Sequence, residues 1–337
     1  MERMTRSAER VALPVRTVFI SFLVSSDMYF QAFDADALLV LIKRLVEIES
    51  RWIPRARGCS LYIRPTLIGT RPSLRVSAST HAALYVILSP TGPYIHDPND
   101  KGFSLLAMND QLRPGGTGEF KLGLNYAAGF PAQRVAAALG YQQLLWILGE
   151  TVAEAGAMNV FAVFERLDGG KSPSLLSPGG ATFGARTCLF IAFAELDVVT
   201  PPLDGTILPG VTRASVLALL SHRPLTAALP LLPPNVRIHT TERALTMSEL
   251  FAASAAGTLR EIFCVGTAAA VIPATRIGWQ RAPPGANAGA ETELVDIVLP
   301  PAGGSGSLAQ IIWQRLVDIQ EGRVEWEGWG LSCASDV

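Results

Sequence analysis

The chain has 337 residues, 28 basic and 29 acidic side chains, a net charge of −1, and 49% hydrophobic against 17% charged residues. That balance excludes a disordered chain and leaves no basic surface of the kind that nucleic acid or an anionic membrane requires. The length favours two domains around a sizeable core. Cys59, Cys188, Cys264 and Cys333 are scattered without zinc-like spacing, and His81, His96, His222 and His239 show no ligand spacing, so no metal is expected. The longest apolar runs, such as 17–24 and 189–196, are too short or too interrupted to cross a bilayer. Met1-Glu2-Arg3-Met4-Thr5-Arg6 is followed by no signal-peptide hydrophobic core.

In chain order, Ala35 to Ser50 reads as an amphipathic helix, with Leu38, Leu41, Ile42, Leu45 and Ile48 on one face and Asp34 or Asp36 as N-cap. Strand patterns follow at 60–68 and 82–88, the second apolar on both faces and expected inside a sheet. Pro, Gly, Asn and Asp become frequent from Ser89 to Gly118, which places an interdomain linker at 94–114, between a small α/β domain (1–93) and a large domain (115–337). Beyond it, a helix at 132–139 ends at Gly140 as its C′ residue, and strands are expected at 143–148, 160–165 and 259–265. A turn at 206–213 feeds a helix, and a last amphipathic helix carries Leu308, Ile311, Ile312, Leu316 and Ile319, closed by Gly322. The mixture predicts an α+β or α/β architecture in two unequal parts.

Only four of the 28 basic residues are lysines, and one of them, Lys121, sits in the glycine-lined stretch Gly115-Gly116-Thr117-Gly118-Glu119-Phe120-Lys121-Leu122-Gly123-Leu124-Asn125-Tyr126. An arginine background that keeps one lysine in such a turn points to a role for the amine, because a partly desolvated lysine can lose its proton and attack a carbonyl while a guanidinium cannot. An aldehyde cofactor held this way also needs a phosphate anchor and an acid opposite its ring nitrogen. Pro209-Gly210-Val211-Thr212 is a candidate helix N-terminus for the phosphate, and Gly266-Thr267 a second turn. Glu154 stands in an otherwise uncharged stretch, where a carboxylate requires a cation or a donor. Tyr62 and Arg64 are two residues apart on a strand and share a face, which suits a carboxylate ligand. Singly, each has an ordinary alternative: a surface lysine, plain turns, a glutamate bonded to local backbone, or a solvated sheet face.

Together these segments resemble the branched-chain amino-acid aminotransferases, members of the class-IV fold of pyridoxal-phosphate enzymes. The resemblance is carried by Lys121-Leu122-Gly123-Leu124-Asn125-Tyr126-Ala127, by 140–146, by Glu154-Ala155-Gly156-Ala157-Met158-Asn159, by 203–213, by Gly266-Thr267-Ala268-Ala269 and by 318–324. It implies pyridoxal 5′-phosphate held as an imine at Lys121, with Tyr126 at the phenolate oxygen and Glu154 at the ring nitrogen. It implies phosphate held by Val211, Thr212, Thr267 and Arg3, and substrate met by Ala157, Ala268, Tyr62 and Arg64. The implied reaction exchanges an amino group between leucine, isoleucine or valine and 2-oxoglutarate, in a homodimer with no nucleic-acid or membrane partner. A catalytically impaired remnant, a D-amino-acid aminotransferase or an aminodeoxychorismate lyase type of enzyme are the alternatives. Against the family pattern, part of the small domain is expected to be absent, and 15–32 and 172–194 stand as atypical insertions. The compartment, cytoplasmic or mitochondrial, is left open.

Overall fold

The structure is a computed structural model that describes residues 1–14, 16–18, 30–32, 34–56, 58–93, 103–109, 116–166, 194–281, 292–300 and 307–333. The chain opens with helix α1 (Glu2–Arg10), short antiparallel strands β1 (Arg16–Val18) and β2 (Phe30–Ala32), and helix α2 (Ala35–Ile48). Asp34 is the N-cap of α2, its carboxylate accepting from the amides of Asp36 and Ala37. Leu38, Ile42 and Val46 are the buried row, whereas Leu41 and Ile48, expected on the same face, are 66% and 58% exposed. The i, i+4, i+8 row alone faces inward, a narrower stripe than the sequence pattern suggests. Apart from residues 16–18, 30–32 and 194, the two atypical stretches lie outside the described residues.

Strands β3 (Ser60–Gly69) and β4 (Ala82–Thr91) pair antiparallel, Ser60 opposite Thr91 and Gly69 opposite Ala82. The second strand was expected inside a sheet, yet no third strand flanks this pair among the described residues, and Tyr85 and Ile87 are exposed. An apolar strand is buried on both faces only where something covers both.

The remaining elements are β5 (Phe103–Met108), α3 (Leu124–Ala127), α4 (Phe130–Ala138), β6 (Gln143–Leu148), β7 (Thr151–Ala155), β8 (Asn159–Glu165) and β9 (Ala194–Thr200). After them come α5 (Val211–Ser221), α6 (Leu225–Ala228), β10 (Val236–Glu242), α7 (Met247–Ala255), β11 (Leu259–Gly266), β12 (Ala270–Arg281), β13 (Glu293–Val298) and α8 (Leu308–Gln320). The assignment of 94–114 as a linker is corrected by β5, which is buried and lies in parallel between β12 and β6. Its six residues were masked by the turn-forming composition on either side of them.

Among the described residues the large sheet has nine strands in the order β10-β9-β8-β11-β12-β5-β6-β7, with β13 beside β12. Pairs β10/β9, β12/β5 and β5/β6 are parallel and the others antiparallel. Strands β7 and β8 follow one another in the chain but lie at opposite ends of the run β8-β11-β12-β5-β6-β7. The Gly156-Ala157 turn that joins them is closed by a bridge between Ala155 and Met158, so the sheet curls until its two arms meet there. Along β8, Val160, Ala162 and Phe164 enter the core inside the curl with Leu105, Leu145 and Ile272. The alternate residues Phe161 and Val163 enter the core under α5 and α8 with Val216, Leu219 and Ile312. A period of two with both faces covered is what makes these strands read as unbroken apolar runs. Helix α4 covers β5 and β6 through Ala132, Ala136, Leu106 and Leu144.

Candidate active site

Lys121 lies in the turn leading into α3, and the turn is held from three sides. A Cβ on Gly118 would come within 2.5 Å of the Thr206 carbonyl and 2.6 Å of that of Gly205, so only glycine lets the two backbones approach. The buried amide of Asn125 donates to the carbonyls of Thr117 (2.8 Å) and Phe120 (3.0 Å), tying the turn to the helix that follows. Helix α1 supplies the third support, where Ser7 Oγ accepts from the Lys121 amide at 2.8 Å and donates to the Arg3 carbonyl at 2.8 Å. Arg10 Nε donates to the Gly116 carbonyl at 2.7 Å, and the guanidiniums of Arg6 and Arg10 lie over the Phe120 ring. Lys121 Nζ is 2.6 Å from the Tyr126 hydroxyl and 4.8 Å from its ring centroid. The side chain of Lys121 is exposed, which corrects the expectation of partial desolvation; Gly123, one of the surrounding glycines, has nothing within 4 Å of a notional Cβ.

Glu154 is on β7 and 2% exposed. Its Oε1 accepts from the Leu208 amide at 2.5 Å and from Asn159 Nδ2 at 3.3 Å, while the same Nδ2 donates to the Leu208 carbonyl at 2.9 Å. These bonds join the carboxylate to Leu208-Pro209-Gly210, the turn that opens α5. Arg3 Nη1 donates to the Pro209 carbonyl at 3.4 Å, so the arginine expected at the phosphate stands beside this turn. Gly210 is the N-cap of α5 and offers no side-chain acceptor, which leaves the amides of Val211 and Thr212 uncapped at an eleven-residue helix N-terminus. Arg213 in the same turn is 3% exposed and donates to the Pro201 carbonyl (2.8 Å) and to Glu242 Oε2 (2.6 Å), pinning the helix start to the ends of β9 and β10.

Thr267 and Ala268 are exposed at the tip of the β11–β12 hairpin, where Gly266 faces Ala270. A Cβ on Gly266 would lie 3.0 Å from Met158 Cγ, and this contact sets the hairpin tip beside the Gly156-Ala157 turn, whose Ala157 is also exposed. The structure therefore sets Ala157 and Ala268 on neighbouring exposed turns. Tyr62 and Arg64 do share a face of β3, with the guanidinium 5.0 Å from the ring centroid. Among the described residues no hydrogen bond or ring contact joins either of them to the Lys121 turn, and none joins Thr267 to the start of α5.

Ser7, Gly118, Asn159 and Arg213 were not singled out as site residues from sequence, and Gly210 was named only as part of the helix start that carries Val211 and Thr212. Asn159 carried the one usable signal: a polar residue opening an apolar strand, five residues after the isolated carboxylate. Ser7 has none beyond being one helical turn from Arg3.

These residues suit a phosphorylated pyridine aldehyde: an amine beside a phenol, a buried carboxylate with an amide at its side, and an uncapped helix start. The curled sheet is shared with solved class-IV enzymes. The branched-chain aminotransferase of Thermoproteus uzoniensis with norvaline superposes with a TM-score of 0.59 at 22% identity, covering 96% of this chain and 78% of that one. The T.th. branched-chain amino acid aminotransferase with pyridoxamine 5′-phosphate gives 0.61 at 21% identity, covering 97% and 80%. At these identities the likeness defines the fold, that of the class-IV pyridoxal-phosphate enzymes. The family described as Amino-transferase class IV matches residues 1–277. The mitochondrial and cytosolic branched-chain-amino-acid aminotransferases of Saccharomyces cerevisiae are 36% and 37% identical, over 99% and 98% of this chain and 70% and 72% of their own lengths. The cytosolic one of Ovis aries is 36% identical, over 99% and 70%. The chain belongs to the class-IV aminotransferase family of pyridoxal-phosphate-dependent enzymes.

Proposed function

We propose that this chain transfers the amino group of leucine, isoleucine or valine to 2-oxoglutarate, with pyridoxal 5′-phosphate held at Lys121. The single observation that carries the reading is the 2.6 Å bond between Lys121 Nζ and the Tyr126 hydroxyl, at a turn that abuts the one opening α5. When bound, the cofactor supplies an electron-poor ring that takes up the electron pair of a broken Cα–H bond. Lys121 Nζ then accepts and returns the substrate Cα proton as general base and acid. Tyr126 orients that amine and donates to the phenolate oxygen. Glu154, buried and bonded at Oε1, is the carboxylate that would face the ring nitrogen and favour its protonated form. The amides of Val211 and Thr212, with Arg3 and the Thr267 hydroxyl, hold the phosphate. Ala157 and Ala268 line the rim nearest the substrate carboxylate, and Tyr62 and Arg64 contribute from β3. A homodimer is part of this reading.

The test is glutamate formation from leucine and 2-oxoglutarate by the purified chain with added pyridoxal 5′-phosphate, with Lys121→Ala as control. Turnover that survives Lys121→Ala would refute the assignment. The exposure of Lys121 and the separation of Tyr62 and Arg64 from its turn favour one second reading, a chain that binds the cofactor without turning over. Visible absorbance lost in Lys121→Ala, with no glutamate formed, would select it.

A further inference from the structure

Asn159 opens β8 and is 5% exposed, with its backbone set by the pairing of Asn159 with Val265 on β11. Its carboxamide fills the space between two parts of the site. Nδ2 donates to the Leu208 carbonyl at 2.9 Å and to Glu154 Oε1 at 3.3 Å, and Oε1 is the oxygen that also accepts from the Leu208 amide. On the other side, a Cβ on Gly210 would fall 2.1 Å from Asn159 Oδ1, so the N-cap of α5 is glycine because the amide occupies the place of a side chain. One side chain therefore touches the carboxylate, the turn and the helix cap.

We propose that Asn159 is a positioning residue that locks Glu154 and the Leu208–Gly210 turn in one fixed relation, so that the carboxylate and the α5 amides meet the ring and the phosphate of the same cofactor molecule. The proposal rests on the function proposed above. The chemistry requires an amide at this position. A carboxylate only accepts hydrogen bonds, so a group that bridges Glu154 and a backbone carbonyl must donate to both, and the two N–H bonds of one NH2 group do so. An aspartate of the same shape would set a second acceptor against both oxygens, and an alanine would leave the buried carboxylate short of a donor. The ring nitrogen and the phosphate of the cofactor are a fixed distance apart, so their protein partners must be as well.

The discriminating variants are Asn159→Asp, which keeps the side chain's shape but exchanges its NH2 donor for a carboxylate oxygen and adds a charge beside Glu154, and Asn159→Ala, which removes the donor without adding a charge. In the full chain, binding of pyridoxal 5′-phosphate followed by fluorescence titration is expected to weaken by about 10- to 100-fold in Asn159→Asp and in Asn159→Ala. The visible absorbance band of bound cofactor is expected to move as well. Gly210→Ala leaves every donor in place and only displaces the amide; it should weaken binding similarly, and adding it to Asn159→Ala should cost little more. In the absence of cofactor, amide exchange at Leu208 should quicken in Asn159→Asp. Cofactor affinity and Leu208 exchange like those of the unsubstituted chain in Asn159→Asp would overturn the proposal. Should that variant fail to fold, Gly210→Ala carries the same expectation and the same refuting result. Because the exchange measurement needs no cofactor, it decides the positioning claim even where the unsubstituted chain binds none, an outcome that counts against the proposed function alone.

Discussion

Substituting Ser7 by alanine should loosen the turn that carries Lys121. The hydroxyl is the one buried polar group of α1 that reaches the turn's backbone at the lysine, accepting its amide at 2.8 Å while donating to the Arg3 carbonyl at 2.8 Å. The other ties are weaker or further away. The Arg6–Glu119 ion pair at 3.2 Å has side chains 51% and 41% exposed, where such pairs contribute little. Arg10 holds Gly116, five residues before the lysine. Losing the Ser7 bond costs about 0.5–1.5 kcal/mol if water replaces the hydroxyl and about 1–3 kcal/mol if the Lys121 amide is left dry. A value of about 1–2 kcal/mol corresponds to about a 5- to 30-fold rise in the opening equilibrium of the turn. Hydrogen exchange at the Lys121 amide should accelerate by that factor, and retention of pyridoxal phosphate through gel filtration should fall. Ser7→Thr keeps the hydroxyl and should behave like the unsubstituted chain. Unchanged exchange in Ser7→Ala, or an effect no larger than that of Arg6→Ala, would refute the claim that α1 supports the turn through this residue.

Three further outcomes follow from the geometry. Gly118→Ala places a methyl group 2.5 Å from the Thr206 carbonyl, which as backbone cannot swing aside; we expect about 1–3 kcal/mol of destabilisation in chemical denaturation and loss of cofactor, while Gly123→Ala, with open space around it, should be neutral. Glu261 accepts from the amides of Leu308 (2.7 Å) and Ala309 (3.0 Å) and from Oγ of Ser307, the N-cap of α8 (2.9 Å), so Glu261→Ala strips the acceptor from the first two helix amides and should cost about 1–2 kcal/mol, read as a lower denaturation midpoint at unchanged slope. Tyr141 is buried and donates to Asp296 Oδ1 at 2.6 Å; burial first, then that bond and the aspartate charge, push its phenol up from 10.0 to about 12, against the opposing Arg276. A raised value in the folded state gives stability that is full below pH 10 and is lost as pH climbs towards 12. Tyr141→Phe should therefore be less stable at neutral pH and show a flatter alkaline limb between those values. A parallel alkaline decline in both proteins would contradict the assignment.

Much of the fold was legible because burial imposes periodicity. Strands β6, β8 and β11 are covered on both faces and read as short apolar runs, and helices α4 and α8 carry one apolar stripe and end at Gly140 and Gly322, both with positive φ. Strand β5 escaped notice because six residues between turn-rich segments carry too little pattern, and it is defined by its parallel neighbours. The lysine turn and the carboxylate were found from residue types alone, since an isolated lysine in an arginine-rich chain and an isolated glutamate in an apolar stretch are chemically conspicuous. Ser7 acts across a separation of 114 residues, over which composition holds no signal, and the contacts of Asn159 with Leu208 and Gly210, 49 and about 50 residues on, were set by the fold although each residue was visible in its own segment.

By itself, then, the amino-acid sequence determined which groups are available: one amine beside a phenol, a carboxylate among apolar neighbours, and glycines where a turn must pass close to another backbone. Only the tertiary structure decided which of them meet. The sheet curls until β7 returns to β8, and that closure places Glu154 against Leu208 and Ala157 against the 266–268 hairpin while leaving Tyr62 and Arg64 on a separate pair of strands. The physical reason is that chemistry depends on side-chain identity, which is local, whereas contact depends on strand order and register, which are set by pairing energies summed over the whole sheet.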